Sequence, residues 1–514
     1  VNFSAFLAVS PLLIISLGGV LLMLSEAYSR RREEADERHQ GPSSEIALGT
    51  TITMLAGAVF SAALWFVGPE TLEGTKSLTP YLIIDRFTLF FSFTLCLGAA
   101  LASLLAGGYL PEHKLDRGEF YPLLTFSTVG AIILAASGDL LSLFLGLETM
   151  SLGVYALTGF RRASPRSAEG AVKYFLLGSF AAALLLYGGA LLYGATGHTD
   201  FAGIRDVIAA AGNAAPAAAA KGPNFGVILI GVALILVGLA FKVGAVPFHM
   251  WVPDAYEGAP TPATTFMAVA VKSAAFAILL RVVIEAFGTP GLMSWAAGWP
   301  PALAFIAVLT MTVANFIAGR QESVKRMLAY SSIAHAGYVL VGVVSTIKSS
   351  EDGQASVMFY LLAYTVSTVG AFGTLILCGS RGAESVSYED LAGIGKRHPA
   401  AALAFSLFLL SLAGVPPTAG FFGKLYIVKT AMGAGLYALS VILLLNSVLS
   451  AYYYLRVLVF MYMREPAPGA PIARPMRSGY VTTALVVAAV LVLVLGLWPG
   501  TSLQIATEAA IAGR

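Results

Sequence analysis

The sequence predicts an all-α polytopic membrane protein with about 14 transmembrane helices, two inverted five-helix repeats, and breaks in helices 7 and 12. Three observations carry this. Hydrophobic residues make up 57% of the 514-residue chain and charged ones only 11%; with a mean hydropathy of +0.80, that lies outside the range of soluble domains. Apolar runs of about 20 residues, the length that crosses ~30 Å of hydrocarbon as a helix, recur from one end to the other. Two of these runs are interrupted by glycine and proline in matching places.

In chain order the runs fall at about 3–27, 45–67, 84–110, 119–137, 139–159, 167–194, 225–256, 262–286, 301–319, 323–346, 354–379, 399–432, 436–462 and 479–498. The first lacks a basic leader and a small-residue cleavage site, so it reads as a retained span. Asp139 is placed to cap span 5, and Thr261 with Pro262 to start span 8. The runs are continuous and lack the short alternating segments of an outer-membrane barrel. Cys96 and Cys378 lie far apart in apolar runs, as packing residues do. With no Gly-rich nucleotide loop, Cys cluster or His pair at ligand spacing, no cofactor and no metal is expected in this chain. The expected division is 1–118 (spans 1–3), 119–287 (spans 4–8), 288–463 (spans 9–13) and 464–514 (span 14).

Topology follows from the basic residues. Arg30, Arg31, Arg32, Arg38, Lys114, Arg117, Arg161, Arg162, Arg166, Arg320, Lys325, Arg326, Arg381, Lys396, Arg397, Arg464, Arg474 and Arg477 follow odd-numbered spans; Lys76, Arg205, Lys221, Lys348 and Arg514 lie on the other side. The positive-inside rule then puts odd-numbered loops in the cytoplasm and both termini outside. The mixed-sign stretch from Arg30 to His39 reads as a solvated loop and not a nucleic-acid site.

Of the remaining basic residues, Arg86, Arg281, Lys429 and Arg456 lie near span ends, where a long side chain can snorkel. Lys173, Lys242, Lys272 and Lys424 are deeper. Lys272 stands near the midplane, where a charge costs ~2.5–3.5 kcal/mol and needs a partner or water. Glu148, about nine residues into span 5 at 1.5 Å per residue, stands at similar depth and is the evident counter-charge.

Gly244 and Pro247 unwind span 7 beside Lys242, because proline donates no backbone hydrogen bond and crowds the preceding turn. Gly414, Pro416, Pro417 and Gly420 do the same in span 12, ahead of Lys424. Freed carbonyls survive at membrane depth only beside protein or trapped water. The two breaks are five spans apart, and an odd shift reverses direction, so the halves are inverted, as in transporter folds.

The segments SLFLGLETMSLGVYALTGF, SAEGAVKYFLLGSFA, AFKVGAVPFHMWVPDAYEGAPTPATTFMA, QESVKRMLAYSSIAHAGY and AGVPPTAGFFGKLYI resemble the antiporter-like membrane subunits of respiratory complex I over almost the whole chain. Multi-subunit cation/proton antiporters share the broken helices and the Glu–Lys pair. The wording of ETMSLGVYAL and EGAVKYFLLGS, a lysine at 424 and the absence of a long lateral helix are similar to the N-type branch. The resemblance implies proton translocation within a bacterial inner-membrane NADH:quinone oxidoreductase, driven by redox chemistry elsewhere. It implies FMN and iron–sulfur clusters in partner subunits, K- and M-type neighbours, the lateral helix of an L-type subunit, and a quinone pool used by the complex. It also implies a relay: Glu148 paired with Lys242, then Lys272, then Lys424 near the outer exit, with Lys173 and His335 as further members and Ser331, Ser332 and Tyr338 ordering water.

Lysine suits such a relay. At an effective dielectric of ~20, an ion pair is worth ~4 kcal/mol at ~4 Å and ~1.7 at ~10 Å, so opening the Glu148–Lys242 pair drives the lysine's proton onward. The competing classes are a multi-subunit Na⁺(cation)/proton antiporter subunit, an ordinary solute carrier and a purely structural subunit. A structural subunit has no need of four buried lysines, and a solute carrier would show pocket chemistry beyond lysine at the breaks.

Overall fold

The computed structural model describes residues 3–33, 43–69, 73–212, 224–379, 384, 386–466 and 473–511. Arg38, Lys221, Arg381 and Arg514 of the topology argument lie outside them. Among the described residues, 12 helices are long and apolar enough to cross a membrane, and two shorter apolar helices, Phe120–Ala136 and Pro399–Ala413, stand where spans 4 and 12 are expected. The protein is a polytopic helical bundle. Span 1 departs from the reading: a helix at Phe3–Ala8 is followed by the main one at Ser10–Glu33. Pro11 sits at its first turn, where its missing N–H interrupts the preceding ladder.

Both expected breaks occur, and they are built alike. Span 7 is helical over Phe225–Val243 and resumes at Trp251–Gly258; span 12 is helical over Pro399–Ala413 and resumes at Ala419–Gly433. Gly244 and Gly414 take left-handed conformations, φ 74° and 87°, open to glycine without the Cβ penalty. In each, the N–H just past the glycine reaches back five residues: Ala245 to the Ala240 carbonyl at 2.9 Å and Val415 to the Leu410 carbonyl at 3.0 Å. These are Schellman-type caps, so the last carbonyls of each half-helix are satisfied by backbone before the prolines arrive. The break thus begins at the glycine, not at Pro247 or Pro416.

Span 8 (Thr261–Ala286) is the most enclosed helix together with span 10 (Val324–Ser345). Its ladder opens into π turns at Met267–Val271 and Val282–Ala286, the first immediately before Lys272. Spans 4 and 5 approach through glycines on each: a Cβ on Gly130 would meet the Met150 nitrogen at 2.3 Å, and one on Gly146 the Leu134 nitrogen at 2.6 Å. Small residues are what let membrane helices come this close. Two helices outside the spans, Phe201–Gly212 and Pro499–Ala509, lie on the side predicted to face outward. Phe201, Ile204 and Ile208 are buried on one face of the first, the i, i+3, i+7 spacing of an amphipathic helix.

Arg281 does not snorkel. It is fully buried, ion-paired to Asp85 at 2.9 Å and Glu285 at 2.8 Å, and donates from Nε to the Ala135 carbonyl at 3.2 Å. Its guanidinium also lies over the Phe87 ring. Five donors in a rigid fork let arginine tie spans 3, 4 and 8 together at one point. Arg456 is likewise engaged, with the Gly319 and Gln321 carbonyls, whereas Lys429 is exposed.

A second polar node forms on the side predicted to be cytoplasmic. Glu384, from the loop between spans 11 and 12, pairs with Arg161 at 2.9 Å and Lys325 at 3.5 Å, and accepts from Thr261 Oγ1 at 2.7 Å and from the Tyr109 hydroxyl. Lys325, assigned from sequence to a loop, is 1% exposed and also donates to the Ala259 carbonyl. Burial pushes the Glu384 carboxyl up, but the two cations and two hydroxyl donors outweigh it and hold it down at about 2. A carboxylate depressed below its ordinary value stabilises the fold above pH ~4.5 and loses that contribution as pH falls through ~2. Stability of the solubilised protein should therefore fall between these limits, and Glu384→Gln should remove that part of the pH dependence. Parallel acid curves for the two proteins would show that the node is not responsible.

Candidate functional site

Lys242 ends the first half of span 7 and is 1% exposed. Its ammonium donates to Ser151 Oγ at 2.7 Å and the Tyr155 hydroxyl at 3.3 Å. The rings of Tyr155 and Tyr174 flank it at 5.2 and 5.5 Å, within cation–π range. Trp251 closes the break from beyond: its indole N–H donates to the Phe241 carbonyl at 3.1 Å and its face stacks on Tyr174 at 4.0 Å. Val246 N–H donates to Thr310 Oγ1 of span 9 at 3.0 Å. Glu148 and Lys242, expected from sequence within direct or one-water reach of each other, make no direct ion pair here; the ammonium meets Ser151 and Tyr155 instead. Ser151 and Tyr155 lie three and seven residues beyond Glu148, on the same helix face, and they hold the ammonium one turn away. Glu148 keeps one oxygen, Oε1, buried and without a hydrogen-bond partner.

Lys272 is 2% exposed and donates to both the carbonyl and the hydroxyl of Ser332 on span 10; Tyr364 of span 11 donates to the same hydroxyl at 2.9 Å. The adjacent Ser331 shares a hydrogen bond with the Tyr454 hydroxyl. Tyr454 lies 3.1 Å from His335 Nε2, and His335 Nδ1 lies 2.6 Å from the Tyr360 hydroxyl. His335 is therefore spanned by two phenols, from spans 11 and 13. A small cavity, with room for about one water molecule, lies among His335, Tyr360, Tyr364, Ser367, Ser411 and Gly420.

At the second break, Ser367 and Ser411 share a 2.7 Å hydrogen bond, and Gly420 N–H donates to Ser411 Oγ at 3.2 Å. Lys424, 6% exposed, reaches back to donate to the Ala413 carbonyl at 2.8 Å and to Ser447 Oγ at 2.9 Å. The Tyr338 ring lies 5.2 Å from its ammonium. A half-helix C-terminus carries partial negative charge, so this ammonium is held by dipoles and not by a carboxylate. Among the described residues no group of three or more His, Cys, Asp or Glu could hold a metal ion.

The profile of the family described as NADH:quinone oxidoreductase/Mrp antiporter, transmembrane region, matches residues 137–450. The chain belongs to this family. A Sorangium cellulosum (strain So ce56) protein named NADH-quinone oxidoreductase subunit N 1 is 80% identical over 509 residues, 99% of each chain. The Myxococcus xanthus (strain DK1622) protein named NADH-quinone oxidoreductase subunit N is 38% identical over 526 residues, covering 97% of this chain and 96% of that one. Among solved structures, a chain of respiratory complex I from Thermus thermophilus superposes with a TM-score of 0.75 at 34% identity, over 97% of this chain and 99% of that one. A chain of the Mrp complex from Dietzia sp. DQ12-45-1b reaches 0.80 at 20% identity, over 99% and 97%, a likeness of fold alone.

For this NADH:quinone oxidoreductase/Mrp antiporter family member, the structure gathers Lys272, His335 and Lys424 along spans 8, 10 and 12, with Lys242 and Glu148 on spans 7 and 5. Lys173 stands apart. It is half-exposed and paired with Asp254 at 2.7 Å and with Glu169. Sequence reasoning did not single out Tyr364, Tyr360, Tyr454, Ser367 or Ser411. A tyrosine in an apolar helix gives no periodic sign of which way its hydroxyl points, and only the packing of spans 10, 11, 12 and 13 brings these groups to one place.

Proposed function

We propose that this chain is the N-type, proton-translocating membrane subunit of a bacterial NADH:quinone oxidoreductase, moving protons along Glu148, Lys242, Lys272, His335 and Lys424 without a redox centre of its own. The observation that carries the reading is the row of three lysines, each almost wholly buried at membrane depth and each held by neutral hydroxyls or carbonyls. An ammonium bonded only to neutral groups can part with its proton without leaving an unpaired carboxylate behind. Tyr174 OH and Ser273 Oγ are buried without protein hydrogen-bond partners, and trapped water is what ordinarily satisfies such groups. The name of the 80% identical relative favours this complex over the cation antiporter alternative.

On this reading FMN and iron–sulfur clusters reside in partner subunits, the neighbours are K-, M- and L-type membrane subunits, quinone is used by the complex, and both termini face outward from the inner membrane. Residues 119–287 and 288–463 form the inverted halves, supported by the matching caps at Gly244 and Gly414; spans 4–8 should superpose on spans 9–13 after inversion. Glu148→Gln keeps shape and removes the counter-charge. In the intact complex reconstituted in liposomes it should slow NADH-driven proton uptake while leaving NADH oxidation by an artificial acceptor unchanged. Parental pumping by an assembled Glu148→Gln complex would remove Glu148 from the relay.

A further inference from the structure

We infer that Lys173 is a positioning residue: through its ion pair with Asp254 it fixes the short helix beyond the first break and, with it, the aromatic walls around Lys242, and it carries no proton itself. This rests on the relay reading above.

The geometry is a chain of alternating charge. Glu169 and Asp254 both meet the Lys173 ammonium, Asp254 at 2.7 Å; the other Asp254 oxygen meets Arg326 Nη1 at 2.9 Å, and the same nitrogen meets Glu257 at 2.9 Å. Asp254 and Glu257 belong to the helix Trp251–Gly258, Lys173 to span 6 and Arg326 to span 10. The short helix is thus tied to a span of each half. Its first residue is Trp251, which stacks on Tyr174 with ring planes 2° apart and bonds the Phe241 carbonyl beside Lys242. Tyr174 follows Lys173 directly, so one turn of span 6 supplies both the charge that grips this helix and a ring that flanks Lys242.

Two close approaches confirm that span 6 and the short helix are seated on one another. A Cβ on Gly170 would meet the Asp254 carbonyl oxygen at 2.7 Å, and one on Gly258 the Arg166 carbonyl oxygen at 2.5 Å. The opposing features exclude a carrier's role on geometric grounds: the Lys173 ammonium is occupied by two carboxylates, whereas the ammoniums of Lys242, Lys272 and Lys424 meet neutral oxygens. A lysine between two anions retains its proton.

Arginine decides the matter, because a guanidinium keeps the charge and both ion pairs yet does not release a proton at working pH. The test uses the intact complex in liposomes, with assembly read by co-purification, and compares Lys173→Arg, Lys173→Gln, Asp254→Asn and Lys242→Ala. Lys173→Arg should pump within about twofold of the parent, while Lys173→Gln and Asp254→Asn fall several-fold, as expected for lost positioning of a proton-transfer group. An assembled Lys173→Arg complex that has lost pumping would overturn the inference and make Lys173 a carrier; parental pumping by Lys173→Gln would overturn it by showing no role. Should Lys173→Gln fail to assemble, the Lys173→Arg result still decides. Lys242→Ala reports separately: if it pumps normally, the relay reading fails, whatever Lys173 does.

Discussion

Lys272→Ala is expected to abolish redox-driven proton pumping in the assembled complex, by ~10²-fold or more if the lysine is an obligate proton-transfer group. Span 8 is almost wholly enclosed, so no bulk water substitutes for the lost ammonium. What remains is the Ser332 hydroxyl with Tyr364 donating to it, a pair that orients hydrogen bonds but stores no proton. Stability should change little, because removing a buried charge also removes its desolvation cost. Quinone-linked NADH oxidation should fall with pumping if transport is tightly coupled, and oxidation by artificial acceptors should persist. Lys272→Arg should pump as poorly as Lys272→Ala, the reverse of the expectation at Lys173. Liposome proton uptake set against artificial-acceptor activity measures all of this; normal pumping by the alanine variant would end the assignment of Lys272 as a carrier.

Arg281→Ala should fail in a different way, through folding and assembly. It leaves Asp85 and Glu285 facing each other without their shared cation and the Ala135 carbonyl without its donor. Breaking a buried ion pair by removing one partner costs ~3–5 kcal/mol, a large share of a typical stability margin. Lys429→Ala, at an exposed position, is the control and should be close to neutral. Loss of subunit from the purified complex and a lowered thermal midpoint are the measurements. A fully assembled Arg281→Ala complex with parental stability would show that the triad is dispensable.

The contrast between these two residues shows what the sequence can and cannot carry. Span boundaries are written in composition: the run expected at 139–159 is the helix Leu140–Thr158, and that at 436–462 is Tyr437–Met463. The breaks are written in glycine and proline, and Asp139 caps span 5 as its residue type suggests, accepting from Leu141 N–H at 2.6 Å. Lys272 announces itself by depth. Arg281 does not, because its distance from a span end is equally consistent with snorkelling, and its partners Asp85 and Glu285 come from spans 3 and 8. Glu384 was invisible for the same reason: five segments distant in sequence meet there. Glu148 was legible as a buried carboxylate, but the turn of helix separating its oxygen from the Lys242 ammonium depends on Ser151 and Tyr155, whose rotamers no pattern encodes. The helix Phe201–Gly212 did carry a readable sign in its i, i+3, i+7 apolar face, too short to stand out beside the long runs.

The two capped breaks also differ in what holds the charge beyond each of them. Beyond Gly244 the chain resumes as a helix at Trp251, of which Asp254 is the fourth residue, and beyond Gly414 at Ala419, of which Lys424 is the sixth. Each resumed helix thus carries a charge near its start, of opposite sign in the two. In the first half the anion is clamped by Lys173 and Arg326, so rearranging that end means parting two salt links. In the second, the cation rests on one carbonyl and one hydroxyl, contacts worth ~1.5–3 kcal/mol each for a charged donor. The two breaks are capped alike at Gly244 and Gly414, and a handful of side chains has given one charged partners and the other neutral ones. Rearrangement at the first break therefore has to exchange charged partners, whereas rearrangement at the second has only to trade one neutral acceptor for another.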